Sequence, residues 1–142
     1  MIDLSSLDKA VDSLGRAIAV SETQSETQAG DRDLRETIRA GVIQNFEFTY
    51  ELCWKMLKRQ LEATSPSSSS IDQMAFRDLI RTGAERGLVE DPKRWFDYRD
   101  QRNITSHTYD DAKAEAVYTT AVAFVHDARD LLTKLKARNT DD

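Results

Sequence analysis

The chain has 142 residues, 39% of them hydrophobic and 32% charged, which is enough for one modest hydrophobic core. Its net charge of −5 argues against broad, non-specific adhesion to nucleic acid but allows a compact phosphate site built from a few residues. The single cysteine, Cys53, excludes an internal disulfide and a cysteine-based zinc site.

No apolar run approaches the roughly 20 residues of a membrane span. The opening "MIDLSSLDKAVDSLG" lacks the basic-then-apolar order of a secretory signal, so a cytoplasmic protein without membrane contact is expected. With only 2 Pro and 5 Gly, the chain has few turn residues, and helices are expected over a sheet of short strands.

The first predicted helix carries Leu4, Leu7, Val11, Leu14 and Ile18 at alternating steps of three and four, a narrow apolar stripe. It gives out in the polar "SETQSETQAGD", read as a frayed helix end or a loop. The second starts behind Asp31 as N-cap and runs from about 32 to about 62, roughly 45 Å at 1.5 Å per residue. Its apolar face is Leu34, Ile38, Val42, Phe46, Cys53, Leu57 and Leu61, flanked by Ile43, Tyr50 and Trp54. "SPSSSS" ends it as a flexible stretch unable to bury surface.

A shorter segment, "IDQMAFRDLIRTGAERG", offers Met74, Phe76, Leu79 and Ile80 to the core, with Gly83 or Gly87 as its stop. Asp91 and Pro92 then form an N-cap and first helical residue, opening a helix with Trp95, Tyr98 and Arg102 on one face. The last helix follows "HTYDD", capped by Asp110 or Asp111. Its broad apolar face is Val117, Tyr118, Ala121, Phe124, Val125, Ala128, Leu131, Leu132 and Leu135. The expected architecture is all-α: an antiparallel up-and-down four-helix bundle with an extra short helix. It forms one domain over 1–142, with about 1–30 less certain and 136–142 frayed.

The stretch "RNITSHTYDD" (102–111) concentrates the chemistry. Arg102 and His107 are five residues apart, which on a continuous helix would turn them roughly 140° from each other. Thr105, Ser106 and Thr108 are weak helix formers and good local cappers, so the helix can end between the two, let His107 fold back beside Arg102, and leave Tyr109 on the exit loop.

An arginine fork fits phosphate oxygens, and histidine exchanges a proton near neutrality. The pair suits metal-free RNA cleavage, in which the ribose 2′-OH attacks the adjacent phosphorus. Two proton transfers are hard for one histidine, so a symmetric dimer that joins two copies is expected. Spacing and chemistry leave a second reading open: a helix end in which Arg102 pairs with Asp97 or Asp100 and His107 lies against a terminal carbonyl.

The stretch also resembles the R-x-x-x-x-H-x-Y signature of HEPN-domain ribonuclease toxins of the HepT type. "NFEFTYELCWKMLKRQLE" (45–62) resembles the signature second helix of the nucleotidyltransferase substrate-binding protein family, the older name of the same group. "FRDLIRTGAERGLVEDPKRWFDYRDQRN" is similar to the family's path into its motif, so that residues 40–135, roughly, are covered.

The resemblance implies a helical bundle that homodimerises, an endoribonuclease acting on RNA, and a toxin–antitoxin pair with a minimal nucleotidyltransferase. That partner would neutralise the toxin by transferring AMP to the motif tyrosine. Carried over residue by residue, Arg102 and His107 are catalytic, Asn103 and Ser106 supporting, and Tyr109 the AMP acceptor. The older family name implies the alternative, a non-catalytic nucleotide- or substrate-binding subunit of a nucleotidyltransferase complex.

No metal-ligand cluster and no phosphate-cradling glycine loop is visible, so neither metal nor cofactor is expected. Glu47, Glu51 and Lys55 follow at steps of four. This is either a solvated stripe with a Glu51–Lys55 pair, contributing a few tenths of a kcal/mol, or a carboxylate that orients a site residue. Cys53 and both tryptophans read as packing residues, and His126 as solvent-facing.

Overall fold

The computed structural model describes residues 2–27 and 31–140. Six α-helices occupy them: α1 (Ser5–Thr27), α2 (Arg32–Thr64), α3 (Ser68–Asp72), α4 (Phe76–Glu85), α5 (Pro92–Ile104) and α6 (Asp111–Arg138). A single turn of 3-10 helix, Thr105–His107, joins α5 to α6. The four long helices form the up-and-down bundle. α1 packs on α2 and α6, α2 on α6, and α5 on α6, while α4 closes against α5.

Cross-helix hydrogen bonds set the directions. Thr49 donates to the Ala10 carbonyl at 3.1 Å and Ser13 to Asn45 at 2.7 Å, so α1 and α2 are antiparallel. Asp8 meets Lys136 and Ser21 meets Tyr118, so α1 and α6 are antiparallel too.

The expected caps are present. Asp31 accepts from the Leu34 amide at 2.9 Å, Asp91 from Lys93 at 3.0 Å, and Asp110, rather than Asp111, from Lys113 at 3.2 Å. Each satisfies an amide that the first helical turn leaves without a carbonyl partner. Pro92 takes the first helical position.

All five stripe residues of α1 are buried, as are Val42, Phe46, Cys53, Leu57 and Leu61 of α2. Burial raises the Cys53 thiol well above its ordinary range, so this cysteine is a packing residue. Phe124 of α6 stands at the centre of an aromatic cluster. Phe46, Trp95 and Tyr98 meet it edge-on at 5.2, 5.6 and 5.0 Å, the geometry that aromatic quadrupoles favour. This cluster seats α5 one turn before Arg102.

Several expectations are corrected. Leu34 and Ile38 are only half-buried, because the core begins at Val42. The serine run does not stay flexible throughout: Ser68–Ser70 open α3, which exists to bury Ile71. Gly83 is no stop but lies inside α4, where a Cβ would come within 3.0–3.1 Å of Val89 and Leu57. The turn is made by Gly87, at φ 77°.

α1 continues to Thr27 through most of the tract read as frayed, and residues 28–30 lie outside the described residues. At the other end, α6 does not fray at 136 but runs to Arg138. Asn139 then accepts from the Ile2 amide at 3.1 Å and donates to Gln60 at 2.8 Å, tying both ends of the chain to α2. Residues 141 and 142 lie outside the described residues.

Asp127 is a buried carboxylate on the apolar face of α6. Arg94 grips it with two bonds, Nε to Oδ2 at 2.8 Å and Nη2 to Oδ1 at 2.9 Å, and the Tyr98 hydroxyl donates to the same Oδ2. Burial pushes its pKa up, but the bonds from Arg94 and Tyr98 outweigh that and hold it below the usual carboxylate range.

A carboxylate depressed in the folded state stabilises the fold above its unfolded value near 3.9, and this contribution is lost as the pH falls through the folded value. Asp127→Asn should therefore lose about 2 kcal/mol at pH 7. Its deficit relative to the parent should shrink below about pH 4. Urea titrations at pH 7 and pH 3 check this, and an equal deficit at both would contradict the assignment.

Candidate functional site

The helix break expected from the threonines and serine is where the 3-10 turn lies. Thr105 is buried, and its hydroxyl performs two tasks. It donates to the Arg102 carbonyl at 2.8 Å, capping α5, and accepts from Arg102 Nη1 at 3.2 Å. Thr108 repeats the first move by donating to the Thr105 carbonyl at 3.1 Å. Such local bonds offer the backbone an alternative to the helical ladder.

Arg102 is half-buried and held on two sides. Its Nε lies 3.4 Å from Glu51 Oε1, across from α2, and is shielded from solvent without a well-aligned hydrogen bond. The second oxygen of Glu51 accepts from the Trp54 indole at 3.2 Å. Nη2 has no hydrogen-bond partner among the described residues, which leaves one edge of the fork open.

Arg102 and Asn103 line a cleft of about 430 Å³ with Tyr50, Glu51, Trp54, Lys58, Phe76 and Arg99. Glu51 thus partners Arg102 rather than Lys55, and neither Asp97 nor Asp100 forms an ion pair with the guanidinium. Lys55 instead lies over the Trp54 ring at 5.8 Å.

His107 ends the turn and Tyr109 lies just beyond it, both exposed, with their rings edge-to-face at 6.3 Å. The imidazole has no hydrogen-bond partner among the described residues. Tyr109 is 87% exposed and lines a second groove, of about 380 Å³, with Arg32, Glu36, Arg39 and Thr108. Ser106 is exposed on the turn. No hydrogen bond or ring contact joins Arg102 to His107, and His107 does not line the Arg102 cleft. One chain therefore presents the motif as two parts, a cradled guanidinium and an exposed imidazole–phenol pair.

His126 is exposed as expected, Trp95 is buried, and Trp54 is half-buried at the cleft wall. Sequence reasoning missed Thr105 as a holder of Arg102; of its two readings of Glu51, the pair with Lys55 does not form, and Glu51 stands against Arg102 as the other reading allowed.

The Glu51–Arg102 pair is half-exposed on both sides, so it adds little stability. It holds the guanidinium at the cleft that both residues line. Glu51→Gln should cost less than about 1 kcal/mol in a urea titration. A much larger loss would contradict a half-exposed pair.

Among the described residues, no group of three or more His, Cys, Asp or Glu side chains is placed to hold a metal ion. No described helix is long and apolar enough to cross a membrane.

Comparison with known proteins gives matches over most of the chain. A protein from Haemophilus influenzae named "Probable ribonuclease HepT" is 39% identical over 141 residues, 99% of this chain and 97% of that one. A solved Haemophilus influenzae structure, described as the fold of a substrate binding domain of a nucleotidyltransferase, superposes with a TM-score of 0.89 at 39% identity, covering 94% of this chain and 99% of that one. A crystal structure from Thermus thermophilus matches at 25% identity and TM-score 0.63, over 86% of this chain and 98% of that one. The family model described as nucleotidyltransferase substrate binding protein like matches residues 2–137. The chain belongs to this family, the HepT-type group that its R-x-x-x-x-H-x-Y stretch resembles.

Proposed function

We propose that the protein is a metal-independent endoribonuclease, the toxin of a toxin–antitoxin pair, acting in the cytoplasm through a site that two copies of the chain build together. The observation that carries this reading is the 3-10 turn. It leaves Arg102 cradled by Glu51 and Thr105 with one edge of its fork open, and the His107 imidazole without a hydrogen-bond partner among the described residues. An arginine held this way can clamp a phosphodiester, and an unencumbered imidazole can exchange protons.

In the reaction, an imidazole takes the proton of the ribose 2′-OH and the freed oxygen attacks phosphorus. The P–O2′ bond forms, the P–O5′ bond breaks, and an imidazolium supplies the proton to the departing 5′-oxygen. Arg102 neutralises the charge that builds on the phosphoryl oxygens. Asn103, on the cleft wall, and Ser106, exposed on the turn, would hydrogen-bond the substrate strand in this reading. A two-fold axis near 102–109 would set His107 of one copy by the Arg102 cleft of the other and supply the second histidine. The relative's ribonuclease name supports the reaction class.

Tyr109, exposed beside His107, is the proposed acceptor of AMP from the partner nucleotidyltransferase. The adduct adds a phosphodiester charge beside the arginine site and would occupy it in place of RNA.

The description of the Haemophilus influenzae structure as a substrate binding domain favours a second reading, a silent subunit of a nucleotidyltransferase complex. Incubation of the purified protein with RNA in excess chelator separates the two. Cleaved RNA supports the ribonuclease. RNA left intact by a dimer that still binds the nucleotidyltransferase supports the silent subunit.

A further inference from the structure

Some surface arginines pair with carboxylates: Arg16 with Asp12, Arg32 with Glu36, Arg39 with Asp111 and Glu115, Arg94 with Asp127. On the face shared by α4 and α5, three arginines lie over aromatic rings. Arg77 and Arg81, one turn apart on α4, both lie over the Phe96 ring of α5, with guanidinium carbons 4.5 and 5.4 Å from its centre. Arg99, one turn after Phe96, lies over the Phe76 ring at 4.7 Å and lines the Arg102 cleft. Arg77 and Arg99 form no ion pair among the described residues, and Arg81 has only Asp78, at 4.0 Å.

An aromatic face orients a guanidinium without cancelling its charge, and leaves the N–H edge free for a phosphate. Part of the ordering entropy of binding is thereby paid before a ligand arrives. The acidic residues of α5, Asp97 and Asp100, project to the other side of Phe96 from Arg99, by the 100° step of a helix. In a chain of net charge −5, this is a local positive strip that leads into the cleft.

From Phe96 to Asn103 the strip runs about 10 Å along α5, at 1.5 Å per residue. That matches about three nucleotides at the 3.4 Å spacing of a stacked strand.

We propose that Arg77, Arg81 and Arg99, oriented on Phe96 and Phe76, form an extended subsite that binds the backbone of a single RNA strand adjacent to the nucleotide held at Arg102. This rests on the ribonuclease reading for the chemistry at Arg102, while the strip itself is a binding surface that can be tested without cleavage. The strip reads phosphates and not base edges, so it lengthens the recognised strand without selecting its sequence.

The test measures binding of a labelled single-stranded oligouridylate of about 12 nucleotides to full-length protein carrying His107→Ala, so that no cleavage occurs, over a salt series. Loss of two phosphate contacts in Arg77→Gln/Arg81→Gln should lower the slope of log K against log salt by about 1.4, which at 0.1 M salt is about 20-fold weaker binding. Phe96→Leu keeps the packing volume but removes the ring, and should give an intermediate loss. Lys9→Gln/Arg16→Gln removes equal charge from α1 and should leave the slope nearly unchanged.

An unchanged slope in Arg77→Gln/Arg81→Gln would overturn the subsite. If the wild type still cleaves RNA, the ribonuclease reading survives that result. Equal losses in the α1 control would also overturn it, by reducing the strip to net charge. So would a strip that binds polyglutamate but not the oligonucleotide, which would assign it to an acidic protein.

Discussion

Arg102→Ala and His107→Ala should each lower RNA cleavage by two to four orders of magnitude, the usual contribution of a positioned proton-transfer group or of one transition-state charge donor. Both side chains lie outside the hydrophobic core, so the folded structure should persist. The two losses differ in kind. Removing the guanidinium deletes a clamp, so binding of uncleaved RNA should weaken along with the rate. Removing the exposed imidazole deletes only proton transfer, so binding should persist.

His107 has no hydrogen-bonded neighbour among the described residues to hold its ring, so in this account its order is completed by the second chain. The activity should then depend on the dimer. Light scattering that shows a monomer at micromolar concentration, with full specific activity, would contradict the composite site.

The second large effect is on control. Incubated with its nucleotidyltransferase and ATP, the wild type should gain about 329 Da per AMP unit and lose cleavage in proportion. Tyr109→Phe should stay folded, because the side chain is 87% exposed, and should gain nothing. It should keep cleaving in the presence of the partner. Intact-mass spectrometry and a cleavage assay on the same samples decide this. A Tyr109→Phe protein that gains AMP at the wild-type level would move the acceptor elsewhere. Arg32 and Arg39, which line the groove beside Tyr109, are already paired with carboxylates.

How far the sequence carried this account depended on whether each feature was local. The stripes of α1 and α6, the caps Asp31, Asp91 and Asp110, and Pro92 are read from neighbours within one or two turns, and they stand as expected. The break after Arg102 was legible for the same reason: three short hydroxyl side chains compete with the helical ladder where they stand. Features made by distant partners were not legible. Leu34 and Ile38 continue the period of α2, but periodicity does not tell where the neighbouring helices stop covering it. Ser68–Ser70 become helical because Ile71 finds a hole in the core, and nothing in a serine run announces that.

The partner of Arg102 lies on a different helix, far away in sequence, so local spacing left Glu51 open between a pair with Lys55 and a role beside a site residue, and only the fold brings it to Arg102. Asp127 carried a signal that went unread. A carboxylate three residues after Phe124 and one before Ala128 lies within an apolar face, and such a group must find donors if it is buried. Arg94 and Tyr98 are those donors.

The central claim is that this fold cleaves RNA by attack of the strand's own 2′-oxygen. Its most direct test gives the wild-type protein, in excess chelator, the same RNA sequence in unmodified and fully 2′-O-methylated forms and identifies the ends produced. The account predicts that the unmodified strand is cut to a 2′,3′-cyclic phosphate, or its hydrolysis product, and a 5′-hydroxyl, and that the methylated strand is bound but left whole. Cleavage of the methylated strand, or a 5′-phosphate on the product, would contradict it.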